Sequence, residues 1–143
     1  MAKSEKTITI NAPVEKVFSY IGGGTNLPEI WPSLVEVTDV QRLPNGGHSG
    51  RFVYKMAGIR LEGTSEDVEY VPNQRIVTKT TGGAESTQTW LFQPEAGGTK
   101  VTFKVEYTVP VPVLGKLAQA IIVKMNEREG DLILANLKAR MEA

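Results

Sequence analysis

At 143 residues the chain has room for one domain with a real core and too little for two ordinary ones. Its apolar and charged fractions are those of a soluble globular protein, and its formal net charge is zero with no basic block, so no nucleic-acid surface is expected. It has no cysteine and a single histidine, which excludes disulfides, thiol catalysis and cysteine-based metal sites and makes a histidine metal site or a Ser-His-Asp triad unpromising.

The opening MAKSEKTITI lacks the apolar run of a signal peptide, and no window reaches the ~20 apolar residues of a membrane span. A cytoplasmic protein without stable membrane insertion, monomeric or homodimeric, is the expectation. Residues 6–10 alternate, with Ile8 and Ile10 on one face, and read as a half-buried strand. Asn11, Pro13 and Glu15 then read as a helix start: a capping side chain, a first-turn proline and an acid near the positive end of the dipole. Val14, Val17, Phe18 and Ile21 mark its apolar side, and Gly22, Gly23 and Gly24 end it. A second short helix is expected from Thr25 to Ile30, stopped by Pro32.

From Leu34 the pattern is β. Strands are expected near 34–43, 50–58, 60–70, 74–81, 85–94 and 99–109, separated by glycine-, proline- and asparagine-rich turns short enough to make neighbours antiparallel. Phe52, Tyr54 and Met56 share a face, as do Trp90 and Phe92, and Val101, Phe103, Val105 and Tyr107. In the 60–70 strand Leu61 and Tyr70 fall on opposite parities, which suggests a bulge at Gly63. Pro110 and Pro112 stop the last strand. Residues 113–143 then carry apolar residues at helical spacing (Leu114, Leu117, Ala118, Ile121, Ile122, Met125, Leu132, Ile133 and Leu137), a rod of roughly 40 Å with one stripe to cover. Glu129, followed by Gly130, breaks the stripe. A sheet with one apolar face and a helix with one apolar stripe have one economical arrangement: an α+β domain in which the sheet curls around the helix.

The phrase Asn11-Ala-Pro-Val-Glu-Lys-Val-Phe-Ser-Tyr-Ile21, the following Asn26-Leu-Pro-Glu-Ile-Trp-Pro32, the six-strand block and the terminal Asn136-Leu-Lys-Ala-Arg-Met-Glu142 together resemble the START-like (SRPBCC) superfamily, in its polyketide cyclase/dehydrase and lipid-transport-like branch. The resemblance covers essentially the whole chain as a single domain, 1–143. It implies the helix-grip fold: a bent seven-stranded antiparallel sheet around the long C-terminal helix, with two short helices after the first strand. It also implies a cavity between sheet and helix that takes a small hydrophobic or amphipathic molecule. No cofactor and no metal are expected. Two other functions stay open under the resemblance, because fold does not choose among them: a polyketide cyclase/dehydrase-type enzyme using a cavity carboxylate, and an accessory or interaction protein resembling the accessory proteins of carbon monoxide dehydrogenase.

Glu129 is the candidate catalytic or anchoring residue. On the apolar face of a buried helix its charged form is disfavoured, and it can act as general acid or base or hold a ligand hydroxyl. The alternative is that it turns to the helix edge or pairs with Arg128 or a sheet lysine. Tyr54, Trp90 and Tyr107 carry polar tips suited to orienting a ligand, or are ordinary core aromatics. Trp31 reads as a pocket-mouth residue or a plug between the small helices and the sheet. Met56 and Met125 read as a compliant wall or plain core. Phe92, Phe103 and Ile121 complete the expected lining. His48, in the Asn45-Gly-Gly-His-Ser-Gly50 loop, reads as exposed and without a role. The glycine runs lack the lysine and strand-to-helix context of a phosphate loop and read as turns. Glu62 and Glu66 read as a solvated outer face rather than a metal pair.

Overall fold

A computed structural model describes residues 2–56, 58–82, 85–108 and 115–143. In chain order these form β1 (Ala2–Ile10), α1 (Val14–Gly22), a 3-10 turn (Leu27–Glu29), β2 (Leu34–Arg42), β3 (His48–Met56), β4 (Ile59–Val71), β5 (Arg75–Gly82), β6 (Ser86–Glu95), β7 (Gly98–Tyr107) and α2 (Gly115–Met141). All these strands join one antiparallel sheet in the order β1-β7-β6-β5-β4-β3-β2. Tight turns make β2 to β7 successive neighbours. β1 pairs at long range, running from Ala2 opposite Tyr107 to Ile10 opposite Thr99. The expected prolines at 110 and 112, and Leu114, lie outside the described residues.

Three local expectations are corrected by the structure. Asn11 does not cap α1: Pro13 holds the N-cap position in an extended conformation with no side-chain cap. Asn11 instead donates its backbone N–H to Glu142 Oε2 at 2.7 Å, tying the helix entry to the end of α2. The second short helix is a 3-10 helix confined to Leu27–Glu29, shorter than the expected Thr25 to Ile30, with Pro28 in its first turn. The bulge in β4 is not at Gly63, which stays in register with Phe52 and Gly82. The shift lies between Asp67 and Glu69, so Val68 and Glu69 both face out and Leu61 and Tyr70 share the inner face. Gly63 is needed for a different reason: a Cβ there would collide with the Thr81 carbonyl oxygen and lie 2.9 Å from Phe52 Cζ. Further register shifts in β2, at Leu34/Glu36 and Thr38/Gln41, with Asp39 at φ 53°, bend that strand. Such bulges add the curvature needed to wrap a helix.

The core is concentrated at one end. Val14, Val17, Phe18 and Ile21 of α1 pack with Ile30, Ile76, Phe92 and Val101 and with Ile133, Leu134, Leu137 and Met141 of α2. The other half of α2 is covered differently. Among the described residues Ile122 alone is a buried apolar side chain there, while Leu117 (78 % exposed), Ile121 (52 %) and Met125 (37 %) project outward, in line with Leu132. The expected single stripe is therefore two stripes on different faces. At 100° per residue Ile121 and Ile122 already diverge, and the set Ile122, Glu129, Ile133 and Leu137 is the one that points at the sheet.

Candidate functional site

The two halves of α2 meet at Glu129 and Gly130, both buried. Gly130 lets β1 come close: a Cβ there would lie 3.2 Å from Lys6 Cγ. Lys6 in turn reaches Glu127 at 3.1 Å and Asp131 at 3.5 Å, so the β1 edge is pinned to the helix by charge as well as shape. These contacts hold the Lys6 ammonium above its ordinary range, with the hydrogen bond to Glu127 the largest cause.

On the other side, Glu129 (8 % exposed) faces the segment entering β2. Trp31 Nε1 donates to its Oε1 at 2.7 Å, Ser33 Oγ donates to its Oε2 at 2.5 Å, and Tyr54 Oη lies 3.3 Å from Oε1. None of the ion pairs among the described residues includes Glu129. The carboxylate is thus satisfied by neutral donors rather than by Arg128 or a sheet lysine. One turn earlier on α2, Asn126 Oδ1 accepts from Tyr54 Oη at 2.9 Å. Burial, then the adjacent Glu129 charge, pushes the Tyr54 phenol well above its ordinary range.

This network forms part of the wall of a cavity of about 180 Å³ between the sheet and α2. The cavity lies beneath the loosely covered half of the helix, with Ile122, Asn126, Glu129 and Ile133 along its roof. Trp31, Phe103 and Trp90 form its aromatic side. Trp90 and Phe103 stack with centroids 4.1 Å apart, and Trp31 meets Phe103 edge-on at 5.5 Å. Phe52, Tyr54, Met56 and Leu61 line it from β3 and β4. The floor also carries polar side chains from β4 to β6, namely Ser65, Asp67, Thr78, Thr80, Ser86 and Gln88.

Seven of the ten expected residues come together at this wall: Trp31, Tyr54, Met56, Trp90, Phe103, Tyr107 and Glu129. Three do not. Phe92 packs away from it, against Phe18 at 5.1 Å, as part of the closed core. Ile121 and Met125 sit on the outward stripe of α2, and their places on the cavity side are taken by Ile122 and Asn126. Tyr107 has its phenol raised by burial, with Asn126 opposing the shift. Glu62 and Glu66 are exposed on the outer face, and Glu62 pairs with Arg60 at 3.1 Å. Among the described residues no group of three or more His, Asp or Glu is placed to hold a metal ion, and no helix is long and apolar enough to cross a membrane.

Sequence reasoning misses Ser33, Asn126 and His48. Ser33 and Asn126 carry no local signal. His48 is not an exposed loop residue: it begins β3 and lines the cavity. The two glycines before it read as a turn. One of them, Gly47, also leaves room for Asp67, whose Cβ would be 2.6 Å from a Cβ at that position.

The family described as polyketide cyclase / dehydrase and lipid transport matches residues 1–142. No curated protein matches the chain in sequence. Among solved structures, a START superfamily protein from Mycobacterium smegmatis superposes with a TM-score of 0.81 at 18 % identity, covering 99 % of this chain and 98 % of that one. An aromatase/cyclase from Streptomyces gives a TM-score of 0.81 at 17 % identity, covering 98 % and 93 %. A Thermus thermophilus protein gives 0.75 at 24 % identity, covering 97 % and 96 %. At these identities the likeness is one of fold: all three are similar to this chain in the helix-grip arrangement of sheet and C-terminal helix.

Proposed function

The chain belongs to the polyketide cyclase/dehydrase and lipid transport family, and on that premise we propose that it binds a small hydrophobic or amphipathic molecule, lipid-, polyketide- or aromatic-like, in the cavity between the sheet and α2. The observation that carries this reading is the buried Glu129 at the wall of an aromatic-lined cavity, held by Trp31 and Ser33, with Tyr54 Oη 3.3 Å away and no cation in its network among the described residues. A pocket that is mostly apolar with a few convergent polar groups is the usual form of a small-molecule site. Each carboxylate oxygen accepts more than one hydrogen bond. Glu129 Oε2, engaged by Ser33, keeps capacity for a ligand hydroxyl. Trp31 and Phe103 supply flat apolar surface beside it.

A second reading is supported by one observation. Glu129 and Tyr54 lie within proton-transfer reach of each other at the cavity wall, as an acid/base pair for a cyclase/dehydrase-type reaction requires. It ranks second because the Tyr54 proton is already engaged by Asn126 rather than aimed into the cavity.

The test is direct. Protein prepared without detergent or organic solvent is analysed by native mass spectrometry and titrated with a fluorescent apolar probe. Binding reads as probe fluorescence displaced by alkyl or aromatic competitors. A probe that neither binds nor is displaced would remove the first reading. For the second, turnover of an aromatic polyketone unchanged by Glu129→Gln would remove the acid/base role.

A further inference from the structure

The end of the cavity away from Glu129 holds a polar group that the network above does not use. His48 lines the cavity, and its Nδ1 is buried with no hydrogen-bond partner among the described residues. Buried side-chain nitrogens are normally paired, so each exception calls for an explanation. Here the residue is held in place by its surroundings. The His48 backbone N–H donates to Asp67 Oδ2 at 2.8 Å, and Asp67 Oδ1 accepts from Thr78 Oγ1 at 2.6 Å. Gly24, at φ +84°, lies against the ring: a Cβ there would sit 3.0 Å from His48 Cγ. With both Asp67 oxygens occupied by these donors, the imidazole is positioned but its Nδ1 is left open.

Its relation to the first anchor follows from strand geometry. His48 and Tyr54 lie on the same strand, six residues apart, and even spacing puts both on the inner face. At 3.4 Å per residue they are separated by about 20 Å along β3. Phe52 lies on that face between them, and Leu61 and Ile76 add apolar lining from the neighbouring strands. Along its β3 side the cavity therefore presents a hydrogen-bonding group at each end with apolar surface between them, while the polar floor of β4 to β6 lies opposite.

We propose that the ligand is an elongated, uncharged amphipathic molecule with an oxygen function at both ends, one met by the Glu129–Tyr54 network and the other, a hydroxyl, by His48 Nδ1. This rests on the reading of the cavity as a ligand site and narrows the ligand's chemistry. A hydroxyl suits the position because it can donate to an unprotonated Nδ1 or accept from a protonated one, so it satisfies either tautomer of the neutral ring. A carboxylate is disfavoured there by the adjacent Asp67.

Because His48 is the only histidine, its imidazole nitrogens give an unambiguous signal in the nitrogen-15 spectrum of labelled protein. The probes are long-chain α,ω-alkanediols and n-alkanols of the same length. The expected result is that a diol binds about tenfold more tightly than its matched alkanol, the worth of one further neutral hydrogen bond, and that the diol alone shifts the Nδ1 resonance. In His48→Phe the diol-to-alkanol ratio falls to about one. Equal binding of diol and alkanol with an unmoved Nδ1 resonance overturns the two-ended ligand and leaves the cavity reading standing. If neither probe binds, the cavity reading itself fails, and this inference with it. The spectrum of the unmodified protein decides between these outcomes even if the variant folds poorly.

Discussion

Tyr54 Oη lies between two α2 side chains one turn apart, 2.9 Å from Asn126 Oδ1 and 3.3 Å from Glu129 Oε1. A phenol has one proton to give, and the shorter contact to Asn126 takes it. One β3 side chain thereby ties the strand to the helix at the point where its packed half ends and the cavity begins. Several outcomes follow from that arrangement.

Replacing Glu129 by leucine leaves the Trp31 indole N–H and the Ser33 hydroxyl buried without their acceptor. An orphaned buried donor costs about 1–3 kcal/mol. Glu129→Leu is expected to lose at least that in urea unfolding, whereas Glu129→Gln, which keeps an acceptor for Trp31, loses less. Equal losses would mean that the indole bond contributes little.

The raised phenol of Tyr54 makes stability depend on alkaline pH. The unfolded chain ionises near pH ~10 while folded Tyr54 stays protonated. The unfolded state then binds fewer protons, so the stability from this group is complete below pH ~10 and falls as pH rises toward the folded value. The slope approaches about 1.4 kcal/mol per pH unit for one such group. Tyr20 behaves similarly, pushed up to about 12 by burial and its hydrogen bond to Glu29. Tyr54→Phe should flatten the alkaline limb of a stability–pH curve, with phenolate absorbance reporting the titration. An unchanged slope would contradict the buried network.

Among the described residues Ile122 is the one buried apolar side chain on the loosely covered half of α2, and it forms part of the cavity roof. Ile122→Trp should occupy the space below it, weaken apolar probe binding by more than about tenfold and leave the circular dichroism spectrum unchanged. Retained affinity would place the ligand elsewhere.

Gly63 and Gly130 should respond oppositely to alanine. At Gly63 the added methyl collides with the Thr81 backbone and Phe52, and overpacking of that kind costs about 1–3 kcal/mol. At Gly130 the methyl meets only the flexible stem of Lys6 and the Ser4 hydroxyl, while alanine gains up to about 1 kcal/mol of helix propensity. Gly130→Ala should therefore be neutral or stabilising in thermal unfolding. A large loss there would show that β1 cannot move at all.

The strands are legible in the sequence because alternation and turn glycines are local signals, and Glu129 is legible as a break in an apolar period. Its partners are not: Trp31 and Ser33 lie 98 and 96 residues away along the chain, and nothing at either position announces the other. Ile121 and Ile122 show the limit of periodicity. With two apolar stripes on one helix, spacing alone does not say which faces the sheet, and the choice is made by the polar set Asn126 and Glu129 turning inward. His48 is misread because glycines flanking a histidine look like an exposed turn. What brings it inside is Gly24, on a different segment, and the Asp67 side chain beneath the loop.

The sheet order leaves β1 and β2 as its two edges, and α2 touches the chain at both: Gly130 lies against Lys6 of β1, and Glu129 is bonded to Ser33 at the entry to β2. Exposed edges are templates for pairing with other chains. β2 is disrupted by its two register shifts, but β1 pairs β7 over nine unbroken positions, and α2 meets it through Ser4, Lys6 and the Thr9 carbonyl, which accepts from Lys138 Nζ at 3.1 Å. Lifting α2 to admit a ligand would release those contacts with β1. The helix that roofs the cavity is thus also the element that touches an edge strand, and a molecule that holds it down is expected to lower the tendency to aggregate.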